Sequence, residues 1–129
     1  MESNKSILII EDNLNFSKLM KMRLEIKGFE VRSAVSGLDG LNVARTFKPD
    51  LILLDIMLPE LDGHKISRLL KRDRRFGNIP IIMLTSRDHD RDKELASDAG
   101  VEDYLVKTES FDRVLKKIEL TLATNTMAA

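Results

Sequence analysis

Leu51-Ile52-Leu53-Leu54-Asp55 is a run of four aliphatic residues that ends abruptly in a carboxylate. No polar residue alternates with the four, so they suit a strand buried on both faces, as in a parallel sheet covered by helices on both sides. Asp55 then stands where the chain first leaves the core. In open parallel sheets ligands bind outside the carboxyl ends of the strands, which makes Asp55 the first candidate for chemistry.

Two other stretches have the same character. Ser6-Ile7-Leu8-Ile9-Ile10 is closed by Glu11-Asp12-Asn13, and Pro80-Ile81-Ile82-Met83-Leu84 is closed by Thr85-Ser86. Residues 29–34 alternate instead, with Phe29, Val31 and Ser33 on one side and Glu30 and Arg32 on the other, the pattern of a half-exposed edge strand. Tyr104-Leu105-Val106 forms a brief fifth strand ended by Lys107.

Helical patterns lie between the strands. Phe16, Leu19, Met20 and Leu24 recur at helical spacing, Asn13 can cap that helix, and Gly28 can take the left-handed position beyond its end. A short helix from Gly37 to Phe47 is weakened by Gly40 and stopped by Pro49, because proline pushes the residue before it out of the helical region. Residues 58–63 (LPELDG) are turn chemistry. Ile66, Leu69 and Leu70 mark a third helix that dissolves into Arg72-Asp73-Arg74-Arg75. A highly charged helix follows over 88–99, with a thin apolar face of Leu95, Ala96 and Ala99, stopped at Gly100. Ser110 caps a last helix with Phe111, Val114, Leu115, Ile118 and Leu122 on one face. Strand and helix thus alternate five times, the pattern of a doubly wound α/β fold with a five-stranded parallel sheet flanked by five helices. The 129 residues suit one domain, with an ordered core over 5–124 and a loose tail over 125–129.

Composition excludes several function classes. Lys plus Arg equals Asp plus Glu at 21 each, so no global field attracts nucleic acid or anionic lipid. The basic stretch Lys71, Arg72, Arg74 and Arg75 reads as a solvated helix end that suits the helix dipole. The chain has no cysteine, hence no disulfide framework and no thiolate chemistry. Its apolar runs are far below the roughly 18 residues of a membrane helix, and residues 1–5 are too polar for a signal peptide. The expectation is a cytoplasmic protein with no membrane contact and no direct nucleic-acid binding. His64 and His89 lie in charged surroundings and are expected to be solvated, since a metal site built on them needs His or Cys partners that the chain lacks.

Parallel strands deliver their carboxyl ends to one side, so Glu11, Asp12, Asp55, Thr85 and Lys107 can converge at the top of the sheet. Carboxylates packed together repel, and a divalent cation relieves the repulsion. Oxygen ligands without nearby His or Cys favour a hard ion, Mg²⁺ before Ca²⁺. A cation, a lysine and a hydroxyl around one carboxylate form the cradle that phosphoryl transfer needs, with Asp55 as the nucleophile that becomes an acyl phosphate.

These motifs in this order resemble the response regulator receiver domain of two-component signalling: Glu11-Asp12, Asp55 followed by Leu58-Pro59 and Asp62-Gly63, Thr85-Ser86, and Gly100 leading to Asp103-Tyr104-Leu105-Val106-Lys107. The resemblance covers essentially the whole chain and implies a flavodoxin-like sheet in the order 2-1-3-4-5, which sets Asp12 beside Asp55. It implies that Asp55 is the phosphoacceptor, that Glu11, Asp12, Asp55 and the backbone carbonyl of Met57 hold Mg²⁺, that Lys107 contacts the phosphate, and that Thr85 and Tyr104 form a switch pair. A histidine kinase or histidine phosphotransfer protein is the implied donor. A downstream protein or effector domain would read the surface made by the helix over 88–99, the fifth strand and the last helix. The protein is then no ordinary enzyme and catalyses only its own phosphoryl transfer and dephosphorylation. The chain departs from the family at Thr108, where a proline, often preceded by a cis bond, is usual. A cis bond before a non-proline costs about 2.5 to 4 kcal/mol, so a trans Lys107-Thr108 bond is expected.

Two other readings compete. One is a degenerate receiver that acts as a constitutive interaction module; the intact Asp12, Asp55, Thr85 and Lys107 argue against it. The other is an aspartyl-phosphate hydrolase of the haloacid dehalogenase type, which wants a second Asp where Met57 stands. Met57 and Arg87 also rim the in-line approach of water to an acyl phosphate, and both are expected to slow its hydrolysis by excluding that water.

Overall fold

β3 (Leu51–Asp55) runs through the middle of a five-stranded parallel sheet in a computed structural model that describes residues 5–58, 63–85 and 103–128, with the backbone alone at 125–128. The other strands are β1 (Ser6–Ile10), β2 (Glu30–Ala34), β4 (Ile81–Thr85) and β5 (Asp103–Val106). The sheet order is β2-β1-β3-β4-β5. Helices α1 (Leu14–Ile26), α2 (Gly37–Phe47), α3 (Gly63–Arg72) and α4 (Phe111–Ala128) complete the described elements. The helix expected over 88–99 lies outside the described residues, as do Arg87, His89, Gly100 and most of the 58–63 turn.

Every residue of β1, β3 and β4 is buried, which is why these strands show no polar alternation. Successive side chains point to opposite faces and feed two separate cores. Leu8, Ile10, Ile52, Leu54, Ile81 and Met83 pack with Ala44 of α2 and with Ile66 and Leu70 of α3. Ile7, Ile9, Leu51, Leu53, Ile82 and Leu84 pack with Met20 and Leu24 of α1 and with Val114, Ile118 and Leu122 of α4. The edge position expected for the alternating strand is confirmed, since β2 pairs with β1 alone. Its burial is uneven, however. Val31 and Ala34 are covered, whereas Ser33, expected on the inner side, faces out.

The local signals act as the residue types dictate. The Asn13 side chain accepts from the Phe16 N–H at 3.0 Å, and Gly28 takes φ +99° just past the end of α1. Ser36 caps α2 by accepting from the Asp39 N–H at 3.2 Å, and Lys48 closes that helix in the left-handed conformation immediately before Pro49. Gly40 is less a weakness of α2 than a requirement of packing, because a Cβ there would run into the Ile10 side chain.

Three further expectations are corrected. Leu19 and Leu69 are exposed rather than inward, because the inner faces of α1 and α3 are already taken by Met20 and Leu24 and by Ile66 and Leu70. His64 is not solvated but only 6% exposed, since the first turn of α3 is drawn onto the end of β3. The last helix runs from Phe111 to Ala128. Among the described residues no helix is long and apolar enough to cross a membrane.

Candidate functional site

Strand pairing decides which side chains meet. Ile10 pairs with Leu54 and Asp55 with Leu84, so the residues that follow β1 and those that end β3 and β4 emerge together at one edge of the sheet. Glu11 is 2% exposed, Asp55 5% and Thr85 fully buried, while Asp12 is exposed. Carboxylate oxygens of Glu11, Asp12 and Asp55 lie within 4.8 Å of one another.

Lys107 reaches this cluster from the end of β5. Its Nζ lies 2.5 Å from Glu11 Oε1 and 3.4 Å from Asp55 Oδ2, with the side chain 17% exposed. Its backbone N–H donates to the Thr85 carbonyl at 2.6 Å, which ties the lysine to the end of β4. Backbone groups orient the carboxylates: the Asn13 N–H donates to Glu11 Oε2 at 2.9 Å, and the Met57 N–H donates to Asp55 Oδ1 at 3.1 Å. Burial pushes the Glu11 carboxyl up to about 7; the Asp55 charge adds to the rise, while Lys107 and the Asn13 N–H oppose it.

Two neighbours complete the surroundings. Gly63, at the start of α3, donates its N–H to the Ile56 carbonyl at 2.8 Å, and an added Cβ would stand 2.5 Å from the Asp55 carbonyl oxygen. Tyr104 on β5 pairs with Met83 and packs partly buried against the core shared with α2 and α3. No described peptide bond is cis, so the Lys107-Thr108 bond is trans as expected.

A family model described as the response regulator receiver domain matches residues 7–119. The chain belongs to that family. Related receiver proteins include the polar-differentiation response regulator DivK of Brucella ovis, 38% identical over 89% of this chain and 94% of DivK. The DNA-binding dual master transcriptional regulator RpaA of a Synechocystis strain is 40% identical over 90% of this chain but only 48% of RpaA. The receiver domain thus spans about half the length of the transcriptional regulators it matches. Among solved structures, a CheY-like receiver domain protein from Methanospirillum hungatei superposes with a TM-score of 0.92 at 27% identity, covering 98% of this chain and all of that one. The BeF3-activated receiver domain of Klebsiella pneumoniae RstA is 33% identical with a TM-score of 0.85, covering 92% of this chain and 98% of that one. Receiver domains are regulatory rather than metabolic enzymes.

Of the residues singled out in the sequence, this receiver domain brings Glu11, Asp12, Asp55 and Lys107 into one cluster, with Thr85 buried at the end of β4 and joined to Lys107 through its backbone carbonyl. Gly63 was read as turn punctuation and as part of the Asp62-Gly63 motif of the resemblance, and neither reading announced its close approach to the Asp55 backbone. Phe16 was legible only as a helix-face residue; its ring lies 4.7 Å from the Lys107 Nζ.

Proposed function

We propose that this receiver domain is a phosphorylation-switched response regulator module, in which Asp55 accepts a phosphoryl group from a histidine kinase or histidine phosphotransfer protein. The observation that carries the reading is the convergence of Asp55 with Glu11, Asp12 and Lys107 at one end of the sheet. The donor set also fits Mg²⁺. Three carboxylates offer oxygens within 4.8 Å of one another, two of them on buried side chains. Glu11, Asp12, Asp55 and the Met57 carbonyl would hold the ion, which supplies charge neutralisation for the phosphoryl oxygens.

The chain's own residues do the rest. One Asp55 carboxylate oxygen attacks phosphorus as the P–N bond to the donor imidazole breaks, and the imidazole leaves with its electron pair and takes a proton. The Met57 N–H holds Asp55 Oδ1 and so fixes the plane of the nucleophile. Lys107, tethered to β4 through its backbone, pairs with phosphoryl oxygens. The new group adds nearly two negative charges, draws the Thr85 hydroxyl toward it and lets Tyr104 move inward. This alters the surface of β5 and α4 that a downstream protein or effector domain reads, together with the helix expected from the sequence over 88–99. Intact acidic, hydroxyl and lysine groups speak against a constitutive module, and Met57 in place of a second acid speaks against a phosphatase of the haloacid dehalogenase type. The place of action is the cytoplasm.

Acetyl phosphate or beryllofluoride tests the reading. Mass spectrometry is expected to find one phosphate per chain only when Mg²⁺ is present, and none on Asp55→Asn. Equal labelling of Asp55→Asn, or no labelling of the wild type by several donors, would remove the reading.

A further inference from the structure

We infer that Phe16 is a positioning residue for Lys107: its ring face holds the ammonium group over the acidic cluster, where a phosphoryl group on Asp55 will meet it. The inference rests on the phosphoacceptor reading of Asp55. Its physical basis is the stacking of the Lys107 Nζ 4.7 Å from the ring centroid, on a side chain that also touches Glu11 and Asp55. A ring attracts a cation through its quadrupole but carries no net charge. It therefore leaves the lysine N–H groups to oxygen acceptors, whereas a carboxylate in the same place would compete with the incoming phosphoryl group.

The ring is registered to the site through two hydrogen bonds. Glu11 Oε2 accepts from the Asn13 N–H at 2.9 Å, and Asn13 Oδ1 accepts from the N–H of Phe16 itself at 3.0 Å. The first turn of α1 is thus locked to the acidic pair, and the ring with it. Glu11 now holds Lys107 most closely, at 2.5 Å. If Glu11 turns to a metal ion its grip on the lysine weakens, and Phe16 is a neighbour whose attraction does not depend on that carboxylate.

Half-buried Phe16 also walls a cavity of about 230 Å³ between α1 and α4, whose lining includes Met20, Arg23, Lys107, Phe111 and Val114. Without the ring, the flexible lysine stem has room to swing into that space and away from Asp55. A leucine would fill much of the volume yet offer no face to the cation.

The test uses the full chain with Phe16→Leu, Phe16→Tyr, Lys107→Met and the double variant Phe16→Leu/Lys107→Met. Phe16→Leu is expected to lower beryllofluoride affinity and the rate of acetyl phosphate labelling by roughly threefold to thirtyfold, with Mg²⁺ affinity within about twofold of wild type because the metal ligands are untouched. Phe16→Tyr, which keeps the ring face, is expected to restore both. In the Lys107→Met background, Phe16→Leu should add no further loss, since the ring then has no ammonium to place. An upfield ring-current shift of the Lys107 ε-protons, present in wild type and lost in Phe16→Leu, reports the contact independently of any phosphate chemistry. Wild-type affinity in Phe16→Leu, the same loss in the Lys107→Met background, or no upfield shift in wild type would overturn the inference and leave Asp55 as the acceptor. A wild type that takes neither beryllofluoride nor phosphate would instead remove the phosphoacceptor reading, and this inference with it.

Discussion

Glu11 is the side chain at this site whose charge is most finely balanced. Its folded pKa is raised from 4.5 to about 7, chiefly by burial. A raised carboxyl keeps its proton in the fold after the unfolded chain has lost it, so the folded state binds more protons between those two values. Stability without metal is therefore expected to fall as pH rises from about 4.5 to about 7 and to level off above that. Thermal melts across that range in EDTA, compared with Glu11→Gln, check this: the variant should lose most of the slope. Because metal binding needs the ionised carboxylate, Mg²⁺ affinity should rise over the same range. Met57 acts on a different step. Its thioether side chain is 49% exposed, next to the backbone N–H that orients Asp55. It can shield an acyl phosphate but cannot orient water by hydrogen bonding. We predict that Met57→Asn combined with Arg87→Glu speeds phosphate loss by roughly tenfold, about 1.4 kcal/mol of barrier. A time course of phosphate release from purified phosphoprotein in Mg²⁺ measures it, and a double variant no faster than wild type would discard the shielding idea.

Helix packing explains why two glycines that look alike in sequence are not equivalent. The first turn of α3 lies against the end of β3 so closely that an added Cβ on Gly63 would meet only backbone, the Asp55 carbonyl oxygen at 2.5 Å and the Ile56 Cα at 2.8 Å. Backbone in the middle of a sheet has little room to yield. Gly63→Ala is therefore expected to destabilise by about 2 kcal/mol or more and to disturb the placement of Asp55. At Gly40 the obstacle is not backbone but the buried Ile10 side chain, which can yield somewhat more, and alanine recovers about 1 kcal/mol of helix propensity in α2. Gly40→Ala should therefore cost clearly less. Urea melts of the two variants, with acetyl phosphate labelling of each, separate these outcomes; equal losses would mean that α3 is free to shift off the strand.

Parallel strands turn a sheet into a device for concentrating charge. Every strand ends on the same side, and among the described residues that side gathers the carboxylates of Glu11, Asp12 and Asp55 with Lys107. Part of the folding free energy is spent against this repulsion. Asp55→Asn is expected to raise the melting temperature in the absence of metal, while Mg²⁺ should stabilise the wild type more than the variant, because an ion that binds only the folded state shifts the equilibrium by mass action. Differential scanning calorimetry with and without Mg²⁺ tests both halves; identical Mg²⁺ responses would mean that Asp55 is not part of the metal site.

The unbroken aliphatic runs of β1, β3 and β4 made a doubly buried parallel sheet legible, because only a strand covered on both faces can dispense with polar alternation. The caps at Asn13 and Ser110 and the turn at Gly28 were legible too, since each depends on hydrogen bonds or torsions within a few residues. The meeting of Glu11, Asp12, Asp55 and Lys107 followed from strand direction once the resemblance supplied the strand order. Rotation of each helix about its own axis was not legible. It settles whether Leu19 or Met20, Leu69 or Leu70, is covered, and it carries His64 inward. Neighbouring positions on a helix differ by about 100°, so several adjacent apolar residues fit more than one rotation, and the choice falls to packing against strands distant in sequence. The same long-range packing seats Gly63 on Asp55 and stacks Phe16 under Lys107. Spacing along the chain encodes which element forms, while the contacts between elements emerge only when their surfaces compete for the same space.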